Sequence, residues 1–336
     1  MNTTTRRMRN VMVTGGGGYV GSALVPKLLE AGHNVTVLDL YLYGDRVFNG
    51  YHDHPGLKEC RGDIRDIRAV ADAIKGCDSV IHLACISNDP SFELNPVLGK
   101  SINLDALRPL VRASKDAGVE RFIYASSSSV YGVKKEPEVT EDLALEPLTD
   151  YSRFKADCEA ILEEEREPGF VTLTLRPATV CGYARRLRLD LSVNIFANQA
   201  YHNRRITVFG GSQKRPNINI EDMTDLYARS LDYPDELIDG QVFNAGYENH
   251  SITELAAMAR DVVGEDVEIV TTPTDDLRSY HVSSEKLRRV LGFEPRHSIR
   301  DAIESLYEAF QKGLVPDAMD RDVYYNIRTM QALSLA

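Results

Sequence analysis

Tyr151 and Lys155 stand four residues apart in the run Asp-Tyr-Ser-Arg-Phe-Lys. On a helix that spacing places both side chains on one face. A free phenol, with a pKa of ~10, is a poor base at neutral pH. A neighbouring ammonium, or any further cation, favours its ionised form. Upstream lies a run of four serines, Ser126 to Ser129, whose hydroxyls can hold an oxygen while its proton leaves. Y-x-x-x-K also arises by chance on amphipathic helices as a surface pair, so its weight depends on its company.

That company is the segment Thr14-Gly-Gly-Gly-Gly-Tyr-Val-Gly21. It follows a predicted strand and opens a predicted helix, the setting in which a glycine-rich motif carries meaning. It parses as GxxGxxG (Gly15, Gly18, Gly21) or as GxGxxG (Gly16, Gly18, Gly21). Glycines permit a tight turn, close approach of backbone to a pyrophosphate, and tight helix-on-strand packing. The helix N-terminus then offers free N–H groups to the phosphates. A purely structural turn is the plain alternative. Asp39 closes the second predicted strand, where a carboxylate accepts from adenosine ribose hydroxyls and repels a 2′-phosphate. This favours NAD over NADP; a turn-capping aspartate is the alternative. Asp63 follows the third strand and can face the adenine. A positively charged nicotinamide would be the further cation that Tyr151 needs.

The elements that hold these residues alternate short apolar runs with helical patterns, the mark of stacked βαβ units and a parallel sheet. Strands are expected at 10–14, 34–40, 57–60, 79–84, 121–126 and 171–175. Helices are expected at 19–31, 67–75, 96–117 and 151–165. The strands are rich in Val, Ile and Leu and barely alternate, as strands covered on both faces should be. Pro26 breaks a local rule inside the first helix, where an interior proline costs ~3 kcal/mol; a kink or a compensating turn is expected. After Pro177 the alternation loosens: helices at 194–203, 221–231, 252–263, 284–291 and 299–312, and strands at 206–209, 241–245 and 267–271. The expected architecture is α/β: a Rossmann-type doubly wound parallel sheet over residues 1–180, then a smaller α/β substrate-binding domain over 181–312. Some elements of the second domain return to the large sheet. The tail, 313–336, should pack on the body or on a neighbouring subunit.

Composition excludes several classes. The chain has 336 residues, 43% hydrophobic and 26% charged, an ordinary globular balance. No apolar stretch approaches the ~20 residues needed to cross a bilayer, and the polar start, Met1 to Asn10, has no signal-peptide pattern; no membrane partner and a cytoplasmic location are expected. The net charge is -11 and no dense Lys/Arg run occurs, so nucleic acid is not an expected partner. The local basic cluster Arg185, Arg186, Arg188 reads either as a solvated loop or as a contact to an anionic ligand. Five widely spaced cysteines without a CxxC give neither a disulfide framework nor a zinc ribbon. His52 and His54 lack further ligands nearby, so no metal is expected.

Taken together, VMVTGGGGYVGSALV, VLDLYLYG, GDIRD, VIHLACIS, FIYASSSSVYG, DYSRFK, LRPATVCG, VFGGSQKRPNINIEDM and NAGYE resemble the extended short-chain dehydrogenase/reductase family, in its nucleotide-sugar epimerase and dehydratase branch. The resemblance spans nearly the whole chain. It implies a catalytic set of Ser127, Tyr151 and Lys155, with Lys155 also on the nicotinamide ribose. Bound NAD would touch Gly15, Gly18, Tyr19, Val20, Gly21, Asp39, Asp63, Ile64, Leu83, Ala84, Cys85, Asn103 and Pro177. Arg215 matches an arginine on the substrate diphosphate, and Arg278 a second one on the nucleotide. Ser128, Ser129, Thr179 and Arg185 complete the expected substrate contacts. A homodimer paired through the helices at 96–117 and 151–165 is implied as well.

The residues beside Ser127 separate reaction types within the branch. Dehydratases resemble one another in an Asp-Glu pair there, because eliminating water needs an acid and a base. Here the two positions are Ser128 and Ser129. That non-titrating pair resembles the 4-epimerases, and SSSSVYG resembles the UDP-glucuronate 4-epimerases in particular. The expected reaction is C4 epimerisation of a nucleoside-diphosphate hexose or hexuronate through a 4-keto intermediate. A 4-ketoreductase or a C2 or C3 epimerase on the same scaffold is the alternative, and a non-catalytic NAD-binding protein a remote one. Two departures from the family pattern, Thr179 for an expected Asn and Arg215-Pro216-Asn217 for an expected Arg-Asp-Phe, point to an altered substrate pocket.

Overall fold

The computed structural model describes residues 7–274 and 281–335. Its strands are β1 (Asn10–Thr14), β2 (Asn34–Asp39), β3 (Leu57–Arg61), β4 (Ser79–His82), β5 (Arg121–Ala125), β6 (Val171–Pro177), β7 (Thr179–Cys181), β8 (Arg205–Phe209), β9 (Lys214–Asn219), β10 (Gln241–Ala245), β11 (Glu248–Ser251) and β12 (Glu268–Thr272). Seven of them form one sheet in the order β10-β6-β5-β4-β1-β2-β3, with every neighbouring pair parallel. The run 3-2-1-4-5-6 reverses direction between β1 and β4, and ligands of such sheets bind outside the strand carboxyl ends at that reversal.

Successive residues of β1 show why the strand pattern did not alternate in polarity. Val11 and Val13 face one side, packing with Leu24, Val25 and Leu28 of α1 (Tyr19–Glu30). Met12 faces the other, with Val70 and Ile74 of α2 (Ile67–Ile74) and Leu107 and Leu110 of α3 (Leu107–Asp116). All three strand residues are fully buried; each such apolar side chain contributes about 1.5–3 kcal/mol relative to exposure. Helix α1 runs through the buried Pro26 without interruption.

The helix expected at 96–117 is not uniform. Pro96–Lys100 is α-helical, Ser101–Asp105 is a π-helical turn, and α3 follows. Such turns insert one residue into the helical ladder and often mark functional sites. Here the turn carries Asn103, whose amide takes both backbone groups of Ile86: the Ile86 N–H donates to Oδ1 at 2.8 Å, and Nδ2 donates to the Ile86 carbonyl at 2.9 Å.

In the second half, α5 (Ser192–Asn203), α7 (Ile252–Val263) and α9 (Ile299–Gln311) share one core, in which Phe196, Leu255, Ile303 and Leu306 meet. β10 rejoins the large sheet beside β6. Three strands were not expected: β7, β9 and β11, which form a small sheet in the order β11-β9-β7. β7 has three residues, β9 and β11 are polar, and β9 contains Pro216, features that weigh against a strand in sequence. The tail packs on the body of its own chain. Tyr324 joins the second-half core, and Met330 of α10 (Asn326–Ala332) joins the apolar cluster on the α2–α3 side of the sheet. The remaining helices named below are α4 (Asp150–Glu164), α6 (Ile220–Arg229) and α8 (Glu285–Leu291).

Candidate active site

A cavity of ≈ 640 Å³ opens at the carboxyl ends of β1, β2, β4, β5 and β6, between the two halves of the chain. Its first wall is the glycine turn. Gly15 has φ +73°, and a Cβ there would lie 2.6 Å from the Ala84 nitrogen; a Cβ on Gly21 would lie 2.4 Å from the Gly16 carbonyl oxygen. Neither position admits another residue without moving backbone. Gly18 is the N-cap of α1 and supplies no side chain to cap it, so the first N–H groups of that helix remain for a ligand. Asp39 clamps the turn to the end of β2: its carboxylate accepts from the Gly17 N–H at 2.9 Å and the Tyr41 N–H at 2.6 Å. Burial raises its pKa, and those two hydrogen bonds oppose the rise. An uncapped helix start, a turn free of Cβ atoms and a carboxylate at the end of β2 fit a dinucleotide diphosphate and its adenosine.

The reactive end lies where β5 and β6 meet α4. Thr149 caps α4, its hydroxyl accepting from the Ser152 N–H at 3.3 Å, and Tyr151 and Lys155 follow on the first turns. Lys155 is 4% exposed, and its ammonium donates to the Ala125 carbonyl at 2.6 Å. It lies 5.0 Å from the Tyr124 ring centroid and 6.0 Å from that of Tyr151. Ser127 caps a 3-10 turn at Ser128–Tyr131; its Oγ accepts from the Ser129 N–H at 3.1 Å and shares a 2.8 Å hydrogen bond with the Ser129 hydroxyl. Burial is the largest influence on the Tyr151 phenol and pushes its pKa up. Cys85 and Asp89 push the same way, while Arg188 and the Ser127 hydroxyl pull it down. Without a further cation, Tyr151 stays protonated.

The cavity brings together almost every residue that the sequence nominated. Gly15, Gly18, Tyr19, Val20, Gly21, Asp39, Asp63, Ile64, Leu83, Ala84, Cys85, Tyr151, Lys155 and Pro177 line it, as do Ser127, Ser128, Ser129, Thr179 and Arg215. Two nominated residues lie elsewhere. Asn103 holds the strand-four loop at Ile86 from behind rather than lining the cavity. Arg185 turns away: it donates to the Asn49 carbonyl at 2.8 Å and lies over the Tyr51 ring at 5.0 Å. Its neighbours Arg186 and Arg188 occupy the cleft wall instead. Arg278 lies outside the described residues.

Other lining residues had weaker signals. Ser87, Asn88 and Asp89 follow β4, where strand ends are expected to meet ligands; no motif marked them. Asn326, Met330 and Leu335 come from the tail, for which the sequence offered no signal at all. Of the cysteines, Cys77, Cys158 and Cys181 are buried, as small hydrophobes should be, whereas Cys60 and Cys85 are only partly so.

Residues 11–246 match the model of the NAD dependent epimerase/dehydratase family, and the chain belongs to that family. A UDP-glucose 4-epimerase of Lactobacillus helveticus is 28% identical over 320 residues, covering 89% of this chain and 96% of the relative. The UDP-glucose 4-epimerase of Thermus thermophilus, solved in complex with NAD, superposes with a TM-score of 0.79 at 26% identity, over 90% of this chain and 99% of its own. The UDP-glucuronic acid 4-epimerase of Bacillus cereus, solved with UDP-glucuronic acid and NAD, shares the fold with a TM-score of 0.80 at 24% identity, over 90% and 99% of the two chains. The protein is an NAD-dependent enzyme of this family.

Proposed function

We propose that the enzyme inverts C4 of a nucleoside-diphosphate-linked hexose or hexuronate. The observation that carries the reading is the constellation of Ser127, Tyr151 and Lys155 on one cavity wall, with the serines Ser128 and Ser129 where an elimination would need a titrating pair. Relatives named as UDP-glucose 4-epimerases support it, and their names favour uridine diphosphate as the carrier. Ser127 holds the C4 oxygen, and Tyr151 removes its proton. Lys155 and the oxidised nicotinamide ring together supply the positive charge that a buried phenolate requires. NAD, held by the glycine turn, Asp39 and Lys155, would supply the hydride acceptor and donor for C4. Thr179 and Arg215 hold the sugar and its diphosphate while the 4-keto sugar turns over and presents its other face. Tyr151 then returns the proton. A cycle that returns the hydride it takes would leave the cofactor unchanged and need no exchange of it.

The decisive experiment is an NMR time course with UDP-glucose, UDP-glucuronate and UDP-N-acetylglucosamine, without added cofactor. A new anomeric signal with C4-inverted couplings is the expected result and names the sugar. Turnover that instead consumes reduced nicotinamide stoichiometrically, followed by absorbance, would replace the epimerase by a ketoreductase. We place the enzyme in the cytoplasm as a homodimer paired through the helical segments at 96–117 and 151–165. Among the described residues no helix is long and apolar enough to cross a membrane. A monomeric mass in light scattering at micromolar concentration would exclude the dimer.

A further inference from the structure

Arg186 and Arg188 are buried in the cleft wall, and the chemistry above gives Arg186 no role. Arg186 is 4% and Arg188 7% exposed. Two guanidiniums this close in a wall of low dielectric require anions. Arg188 has one: its Nε donates to Asp190 Oδ1 at 2.9 Å, and its Nη1 donates to the Ser87 hydroxyl at 3.1 Å. Arg186 makes no ion pair with a carboxylate among the described residues. Its Nη2 donates to the neutral amide oxygen of Asn326 at 2.5 Å, its guanidinium carbon lies 3.7 Å from the Tyr43 ring centroid, and its Nε is buried without a hydrogen-bond partner.

The surroundings of Arg186 point to the kind of anion that would meet it. Its backbone N–H donates to the Ser22 hydroxyl at 3.0 Å, in the first turn of α1, whose uncapped N-terminus faces the cavity. Tyr43, on which the guanidinium stacks, lies just past Asp39 at the end of β2. This corner therefore lies beside both the glycine turn and Asp39, where a dinucleotide would bring its diphosphate.

Asn326 fixes this arrangement from the far end of the chain. Besides accepting from Arg186, its Nδ2 donates to the Ser87 hydroxyl at 3.0 Å, and its backbone N–H donates to Asp190 Oδ2 at 3.0 Å. Ser87 and Asp190 are also the partners of Arg188. One residue of the tail, 1% exposed, thus closes a ring of hydrogen bonds around both arginines, and Met330 and Leu335 extend the same wall.

We propose that the C-terminal segment latches the cofactor: Asn326 is a positioning residue that holds Arg186 against the dinucleotide diphosphate, so that docking of the segment and binding of NAD stabilise each other. Such coupling is reciprocal by linkage. It suits an enzyme whose cofactor must remain bound between two hydride transfers. The inference rests on the NAD cofactor and not on the C4 reading, so binding data can refute one and leave the other standing.

The test is calorimetric. Wild-type, Arg186→Leu, Arg186→Lys and Asn326→Ala proteins, freed of cofactor, are titrated with NAD, ADP-ribose and adenosine. Arg186→Leu should weaken NAD and ADP-ribose about tenfold and leave adenosine within about twofold, with Arg186→Lys recovering part of the loss. Asn326→Ala should act in the same direction at about fivefold. In the unmutated protein, NAD should slow proteolytic cleavage of residues 313–335, a readout that survives even if the arginine variant does not fold. Folded variants that bind NAD as tightly as wild type would overturn the proposal. So would an equal loss for adenosine, or cleavage of the tail at the same rate with and without NAD.

Discussion

Arg176 and Glu159 form a buried, two-pronged ion pair directly behind the serine run, Nη2 to Oε2 at 2.6 Å and Nε to Oε1 at 3.0 Å. Glu159 comes from α4 and Arg176 from β6, so the pair ties the helix that carries Tyr151 and Lys155 to the sheet. It also pins both ends of the segment between them: Ser126 donates to Glu159 Oε1 at 2.5 Å, and Arg176 Nη1 donates to the Tyr131 hydroxyl at 2.6 Å. Removing one partner leaves an uncompensated buried charge. Glu159→Gln or Arg176→Met should therefore cost about 3–5 kcal/mol in urea unfolding, and a Glu159→Leu/Arg176→Met double variant should recover much of it. Single variants within about 0.5 kcal/mol of wild type would show that the pair is not what holds this segment.

Tyr151→Phe should lower turnover by about 10²–10⁴-fold while NAD remains bound. The acid limb of the pH–rate profile should respond to the charges around the phenol, because only the phenolate acts as base. Asp89 raises the Tyr151 pKa, so Asp89→Asn should move the limb to lower pH. Arg188 lowers it, so Arg188→Leu should move the limb to higher pH. Shifts of the same sign in both variants would contradict this assignment.

Gly15→Ala combines a positive φ with a Cβ driven into the Ala84 backbone. It should weaken NAD binding about tenfold or more and cost at least about 1 kcal/mol of stability. Gly50 offers the control: its φ is +88°, yet a Cβ there meets nothing within 4 Å. Gly50→Ala should show the backbone strain without the loss of cofactor. Equal NAD affinity in the two variants would mean that close approach at Gly15 is not essential.

His82 is buried against Thr14, Nδ1 to Oγ1 at 2.6 Å, and burial, helped by Lys155, pushes its pKa down to about 3. An unfolded chain takes up that proton near pH 6.5, whereas the folded protein does not until about pH 3. The contribution of neutral His82 is thus complete above the unfolded value and declines as the pH falls from there. It should amount to about 2 kcal/mol of lost stability between pH 7 and pH 5. Urea midpoints for wild type and His82→Gln across that range should diverge by this slope; parallel curves would show that His82 does not titrate on unfolding.

The sheet and the glycine-turn wall of the cavity were legible in the sequence because they rest on local rules. An apolar strand, a glycine turn and a helix are contiguous in Val11 to Glu30, and Asp39 stands at the next strand end. Tyr151 and Lys155 share a helical face for the same reason. What stayed hidden depends on contacts distant in sequence. Arg185 and Arg186 are neighbours of one kind in the chain, and only the packing of 182–191 against α1 decides that the second faces the cleft. Asn326 reaches Ser87 across 239 positions, with no motif on either side. The strands β7, β9 and β11 pair mainly with one another, so neither propensity nor periodicity marks them.

The strand that completes the sheet beside β6 arrives late. Leu173, Leu175 and Pro177 pair with Gln241, Phe243 and Ala245, and everything between 178 and 240 must emerge first. During synthesis, β6 is an open, apolar edge with unpaired backbone groups for the whole of that interval, the kind of surface that recruits stray strands. Release of a chain stalled anywhere in 178–240 should therefore yield aggregate rather than a free-standing cofactor-binding half. The nascent protein should lean on chaperones until residue 245 has cleared the ribosome and docked.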